Sequence, residues 1–460
     1  MPEIDSDATP AHSISWARLP RALRPFRLGQ YRLLAGALTL SLLGAGMWIV
    51  AVVWQVIELG GGPADLSLVA TGNAAGMLVA VLFGGVLADR VPQRNILVAV
   101  EAAKTIAITT AAVLALSGTL ELWHLVIVTM ILGLADGFFY PAYSALLPSI
   151  LPAEELLAAN GVEGMLRPTI MQAAGPALAS AAIAAFSPGL AFACVAGAQA
   201  LAVGGLLLIR STPVRRDIGE PQHPLRALTS DLREGFVYMW RTPWLLGTLL
   251  YACLLVFVIM GPIEVLLPFA VRDQTGGGPA AFALVLAAFG VGGAIGSLVV
   301  ASLKLPRRYL TIMNLLWGAG CIPLVVIGYT SQLWLMVVAL FFVGFTFSAA
   351  TVIWGTLLQR RVPPALLGRV SSLDFFVSLA LMPISMAVAG PVGEAVGLAP
   401  AFVAAGAIPV VLAVVTILLF RLGKDEILHP LDLAETTPPD DDETDAVGSG
   451  DGARRDAGAE

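Results

Sequence analysis

The chain has 460 residues, of which 57% are hydrophobic and only 13% charged, with a formal net charge of −6. Soluble domains carry roughly 25% charged residues, so a soluble globule is excluded, and the acidic balance argues against a nucleic-acid partner. The direct expectation is an all-α polytopic protein of the lipid bilayer, where each helix satisfies its own backbone hydrogen bonds.

Residues 1–32 hold five arginines and no apolar run of signal-peptide length. They are expected to stay cytoplasmic, with the first span acting as the insertion signal. Reading for runs of about 20 apolar residues gives twelve spans, at about 33–57, 66–88, 95–117, 122–148, 157–185, 188–209, 244–268, 280–303, 310–329, 333–358, 370–392 and 399–421. Six fall in an N-terminal half, 33–209, and six in a C-terminal half, 244–421. With the N-terminus inside, Arg272 alone among the basic residues meets an outer loop, and Lys104 and Arg167 fall within spans. The rest lie on the cytoplasmic side, as the positive-inside rule requires. Both termini are therefore expected in the cytoplasm and the chain in the cell membrane, as a monomer.

Between the halves, residues 210–243 form a cytoplasmic linker. Its Leu225, Leu228, Leu232, Phe236 and Trp240 recur at helical steps and mark an amphipathic helix. Beyond 421 the chain turns acidic and rich in Pro and Gly, and 422–460 is expected to be a disordered cytoplasmic tail. The halves also echo one another. Gly133, Leu146, Leu147 and Pro152 recur as Gly344, Leu357, Leu358 and Pro363, and Ala174-Gly175-Pro176 recurs as Ala389-Gly390-Pro391. Parallel six-helix repeats follow from that order.

Charge inside hydrocarbon is costly and demands a partner or a wet cavity. Asp136 stands in the fourth span within Gly133-Leu134-Ala135-Asp136-Gly137. Arg167 in the fifth span lies about as far from the turn near Pro152 as Asp136 does, so the two reach similar depth. They are expected to be close or to share one polar cavity, with Glu163, one turn before Arg167, competing for the arginine. Such a pair can couple protons to transport, or it can be a permanent salt bridge that fixes helix packing. Glu264, between Gly261-Pro262 and Pro268 near the outer end of the seventh span, is a second candidate. Its alternative role is an interfacial acid paired with Arg272. Asn73 and Gln172 are weaker candidates, and Glu58, Asp374 and Glu394 lie near span ends without an assigned role. Trp48, Trp54, Phe138, Phe139, Tyr140, Phe257, Phe347 and Trp354 could line a cavity, with about a third of them expected to face it.

The three cysteines and four histidines are scattered. No metal cluster, phosphate loop or nucleophile–base set appears, so neither an enzyme nor a cofactor or metal site is expected.

Gly85-Val86-Leu87-Ala88-Asp89-Arg90-Val91-Pro92-Gln93-Arg94 follows the second span. Gly85, Leu87, Asp89, Arg90 and Arg94 match the cytoplasmic loop signature of the major facilitator superfamily, while Pro92 and Gln93 depart from it. Phe26-Arg27-Leu28, Phe138-Phe139-Tyr140-Pro141-Ala142, Trp240-Arg241-Thr242-Pro243 and Gln359-Arg360-Arg361-Val362-Pro363 with Gly368-Arg369-Val370 extend the likeness. Over about 25–421 the chain resembles a major facilitator permease, and within that superfamily the enterobactin-exporter-like and Tap-like multidrug efflux branch. The resemblance implies the major facilitator fold and proton-driven export of amphiphilic small molecules such as drugs, a siderophore or a secondary metabolite. An importer of a small metabolite and a non-transporting membrane sensor remain the alternatives. It also implies that Asp89 reaches the start of the eleventh span near Gly368 to Ser372, Arg369 included, latching the halves, and that Gly175-Pro176 is a reduced antiporter motif. One departure stands out: Ala45, within Gly44-Ala45-Gly46, occupies the place where members of that branch often carry an acid.

Overall fold

The computed structural model describes residues 21–88, 91–210 and 234–431. Every regular element among them is helical. Ten helical stretches are long and apolar enough to cross a membrane. Pro63–Ala88 and the stretch 153–185 supply two further rods, so the expected twelve are present. Their ends differ from the expected ones mainly where polar caps extend a helix past its apolar run; the seventh rod runs Pro243–Thr275 and the tenth Leu333–Arg361. Turns opposite the termini are tight. Gly60, Gly118, Gly276 and Gly397 hold positive φ at four of them, a conformation that costs side-chain-bearing residues about 1 kcal/mol or more.

The duplication read from the sequence is built into the packing. The second rod lies on the fourth and the eighth on the tenth; the sixth covers the first and third, and the twelfth covers the seventh and ninth. The closest crossings repeat residue for residue. A Cβ on Gly133 would collide with the Asn73 carbonyl, and one on Gly344 with the Phe289 carbonyl. Gly76 meets the Met130 carbonyl in the same way, and Gly292 meets that of Phe341. Small residues let these backbones touch, the main source of helix adhesion in lipid.

Two rods change their winding midway. The fifth is α-helical over Ala153–Leu166, π-helical over Arg167–Ala174 and α-helical again over Gly175–Ala185. The seventh has a π segment at Pro262–Leu266. In both, a proline near the segment start (Pro168, Pro262) lacks the N–H that an unbroken ladder needs.

The segment expected to be a disordered tail begins as structure. Arg421 takes a positive φ, and Leu422–Leu428 folds back as a short helix. Its buried Glu426 accepts hydrogen bonds from the Leu310 and Thr311 amides and the Thr311 hydroxyl, capping the ninth rod. Asp425 pairs with Arg361 at 2.5 Å. Of the linker, residues 234–241 are helical; residues 211–233, with Leu225, Leu228 and Leu232, lie outside the described residues, as does the tail beyond 431.

Candidate functional site

A cavity of about 260 Å³ opens between the halves at mid-depth. Most of its wall comes from the N-terminal half: Ala45, Trp48 and Val52 on the first rod, Val69 and Asn73 on the second, Leu132 and Asp136 on the fourth. Glu264, Met382 and Met386 close it from the C-terminal half, and Met171 from the fifth rod. Unbranched, polarizable thioethers suit a surface that accepts differently shaped apolar groups.

Asp136 is where the site's charge meets the cavity. Its side chain is 40% exposed and its Oδ1 lies 2.5 Å from Lys104 Nζ. Lys104 is buried and also reaches Glu101 Oε1 at 3.4 Å. Glu101, wholly buried, accepts a 2.7 Å bond from Ser41 on the first rod, and its second oxygen has no partner among the described residues. The Lys104 ammonium lies 5.3 Å from the Phe139 ring centre. Two carboxylates thus share one lysine, so with all three ionised the cluster carries one net negative charge. Glu101 and Lys104 stand three residues apart on one face of Gln93–Leu116, and Asp136 meets them from the neighbouring antiparallel rod.

The ion partner expected for Asp136 is therefore a different one. Arg167 binds Glu163 at 2.8 Å and the Tyr140 hydroxyl, with its guanidinium 4.6 Å from that ring's centre. Glu163 does take the arginine, and Tyr140 stands one helical turn from Asp136. Equal depth does not separate the two bases. Lys104 lies thirteen residues before the Ser117 turn and Asp136 fifteen after Glu121, so the third and fourth rods offer the same match. The overlooked signal was Glu101 with Lys104, two charges inside a run otherwise apolar enough to span.

Glu264 lies deeper than its expected place near the outer end of the seventh span. The helix continues through Thr275, which puts Glu264 eleven residues inside the rod, on the π segment and facing the cavity. Arg272 bonds Asp273 at 2.5 Å and stacks on Phe269, and Glu264 makes no ion pair with it. Among the eight aromatic candidates, Trp48 lines this cavity. Trp54 packs toward Phe282, Phe138 lines a lateral groove, and Trp354 donates to Asp374 at 3.0 Å.

Of the gating candidates, Asp89 and Arg90 lie outside the described residues. Gly85 falls in Pro63–Ala88 and Gly368 in Pro364–Ala380. Arg94 donates to the Leu206 and Leu207 carbonyls at 3.2 and 2.6 Å, tying the third rod to the end of the sixth. Arg369 pairs with Glu234 of the linker helix. Gly175 packs on the Gly46 backbone, and Gly46 on the Met171 carbonyl, so these glycines with Pro176 set the first rod against the fifth. At the end opposite the termini, Glu394 joins the halves. Its carboxylate accepts from the Ala64 amide at 2.9 Å, while the Gly390 amide donates to Ser67 Oγ at 2.7 Å. The sequence reading gave Glu394 no role, because nothing local marks a bond spanning 330 residues.

Comparison with known proteins places this geometry. A family model described as transmembrane secretion effector matches residues 21–443. The multidrug efflux pump Tap of Mycolicibacterium fortuitum is 28% identical over 82% of this chain and 93% of its own. Macrolide efflux protein A of Streptococcus pyogenes is 24% identical over 87% and 98%. The uncharacterized MFS-type transporter YfiS of Bacillus subtilis is 27% identical over 83% and 90%. Among solved structures, the nucleoside transporter NupG superimposes with a TM-score of 0.68 at 13% identity, covering 86% of this chain and all of that one.

Proposed function

The chain belongs to the transmembrane secretion effector family of MFS-type membrane transporters, and from that premise we propose that it exports amphiphilic small molecules, cations foremost, in exchange for protons. The observation that carries the reading is Asp136, half in the cavity and half in a buried cluster whose two acids share one lysine. One net negative charge leaves room for one proton or one cationic group, and the two compete. A substrate cation beside Asp136 favours the ionised cluster. A proton arriving from the opposite side loosens the Asp136–Lys104 contact and expels the cation. That is the differential interaction an alternating cycle needs. Ala45 lines the same cavity, and on this reading Asp136 on the fourth span takes the part of the acid that branch members often carry on the first. Export by the efflux relatives Tap and macrolide efflux protein A supports the direction.

Gating follows from the contacts between halves. The Glu394–Ala64 and Ser67–Gly390 bonds hold the end opposite the termini closed, and outward release requires both to break. On this reading the termini are cytoplasmic, and Asp89 with Arg90 and the start of the eleventh rod, Gly368 and Arg369, form the counterpart latch on the inner side. Arg94 anchors that loop within its own half. Arg167 and Glu163 extend the polar path from Asp136 toward the inner side, and Glu264 offers a second carboxylate to a bound cation. The protein works as a monomer in the cell membrane.

The test is transport into everted vesicles under an imposed pH gradient, with a panel of lipophilic cations and macrolides. Wild-type accumulation is expected to collapse with a protonophore. The Asp136→Asn variant, at equal membrane abundance, is expected to lose at least tenfold of the gradient-driven rate. A variant that still accumulates cations against the gradient at the wild-type rate removes Asp136 from coupling.

A further inference from the structure

A second cavity, of about 550 Å³, lies at the end of the bundle that carries the termini, away from the transport site. Three arginines converge on it: Arg241 at the end of the linker helix, and Arg360 and Arg361 at the end of the tenth rod. His429 and Asp425 complete its polar rim. Arg361 is committed, since it pairs with Asp425 at 2.5 Å and lies 4.5 Å over the Trp244 ring. Arg360 spends one donor on the Leu431 carbonyl at 3.0 Å. Arg241 is exposed and makes no ion pair among the described residues. Three guanidiniums against one carboxylate leave a positive cleft with several unused N–H donors, the fork geometry that suits phosphate oxygens.

Depth selects the source of the phosphate. The helix 234–241 that leads into the cleft exposes Phe236 and Trp240, stacked on one another, with Val237 also open. Exposed aromatic side chains on a short helix beside the spans mark the bilayer interface, the level of lipid headgroups. Basic pockets at that level hold anionic headgroups.

We propose that the Arg241–Arg360 cleft is a binding site for the phosphate of an anionic phospholipid in the leaflet on the termini side. The site is built by three separate segments: the linker helix, the end of the tenth rod and the folded-back segment at His429–Leu431. An occupied cleft ties them together. The same linker helix holds Arg369 through Glu234, so the bound lipid steadies the entry to the eleventh rod.

The test uses the purified full-length protein in detergent, titrated with dioleoyl phosphatidylglycerol or dioleoyl phosphatidylcholine and read by native mass spectrometry and thermal shift. Wild type is expected to retain phosphatidylglycerol in preference to phosphatidylcholine. The Arg241→Gln/Arg360→Gln variant should lose about 25-fold in phosphatidylglycerol affinity, roughly fivefold per arginine, with phosphatidylcholine binding unchanged. The Arg241→Lys/Arg360→Lys variant should recover most of it. If the double variant does not fold, Arg241→Gln alone, at an exposed position, should show the fivefold loss. Equal retention by wild type and variants overturns the proposal. Displacement of the lipid by millimolar inorganic phosphate, with equal thermal protection, overturns the lipid in favour of a free anion. Residues 432–460 carry ten acidic and two basic residues and begin where Leu431 leaves the cleft. If phosphatidylglycerol binds only after Asp440→Asn, Asp441→Asn, Asp442→Asn and Glu443→Gln are introduced together, the chain's own tail is the occupant and the lipid proposal falls.

Discussion

The second and fourth rods cross at Gly133 and Asn73, and the eighth and tenth cross at Gly344 and Phe289, the same joint made twice. Charge does not follow that duplication. At mid-depth the N-terminal half holds Glu101, Lys104, Asp136, Glu163 and Arg167 in two clusters. The C-terminal half offers Glu264 alone on the cavity, with Asp374 bonded to Trp354 and Ser378. Close backbone contact is what each half needs to be a rigid body, so both keep the glycines. On the proposed antiport cycle, ion chemistry needs to occur only once per cycle, and one half can carry it while the other supplies apolar wall and a moving gate.

The sharpest way to break this contrast is to remove the shared base. Lys104→Met leaves Glu101 and Asp136 as two carboxylates without a cation, and Glu101 has no access to water. Removing one partner of a buried pair costs about 3–5 kcal/mol; because Asp136 is partly open to the cavity, the loss is expected near the lower figure. The variant should melt well below wild type in detergent, and Glu101→Gln in the same chain should return a good part of the loss by removing the stranded charge. If Lys104→Met melts like wild type, the cluster is not an ionised network and the asymmetry between halves loses its meaning.

The frame is the other side of the comparison, and here the halves should behave alike. Gly133→Ala and Gly344→Ala each push a methyl into a backbone carbonyl of the neighbouring rod. Each is expected to destabilise by about 1–3 kcal/mol, the usual range for overpacking, and by similar amounts. A difference of more than about 1 kcal/mol between them, measured by thermal unfolding against Gly355→Ala, which has open space around it, would show that the repeated joint carries unequal load.

These two cases also mark what the sequence can reveal. Span number and the duplicated joint were legible because apolar length and glycine spacing are local signals with one physical meaning. The pairing of Asp136 was not. Equal depth is necessary for a salt bridge, but a residue at that depth has neighbours on two sides, and which side it faces depends on the azimuth of each helix. Glu264 was misplaced for a related reason: the expected span stops at Pro268, but the apolar run continues through Val271 and the helix through Thr275, because proline at a π junction can be followed by seven more helical residues. The bond from Glu394 to Ala64 joins the two halves across 330 residues, and only the assembled bundle brings its ends together.

The smallest expected effect on the fold falls on the one acid that the C-terminal half places on the cavity among the described residues. Glu264 faces the cavity and makes no ion pair among the described residues, so Glu264→Gln strands no partner and should leave thermal stability within about 0.5 kcal/mol of wild type. On the proposed function, its consequence belongs to substrate choice. A carboxylate across a small cavity from Asp136 attracts a cation already held there, while a neutral substrate gains nothing from it. Glu264→Gln should therefore weaken uptake of lipophilic cations into everted vesicles severalfold and leave neutral substrates untouched, with proton coupling intact. If cations and neutral compounds lose equally, Glu264 acts on the gate rather than on the substrate, and the C-terminal half takes part in the ion chemistry that the static charge distribution assigns to the other half.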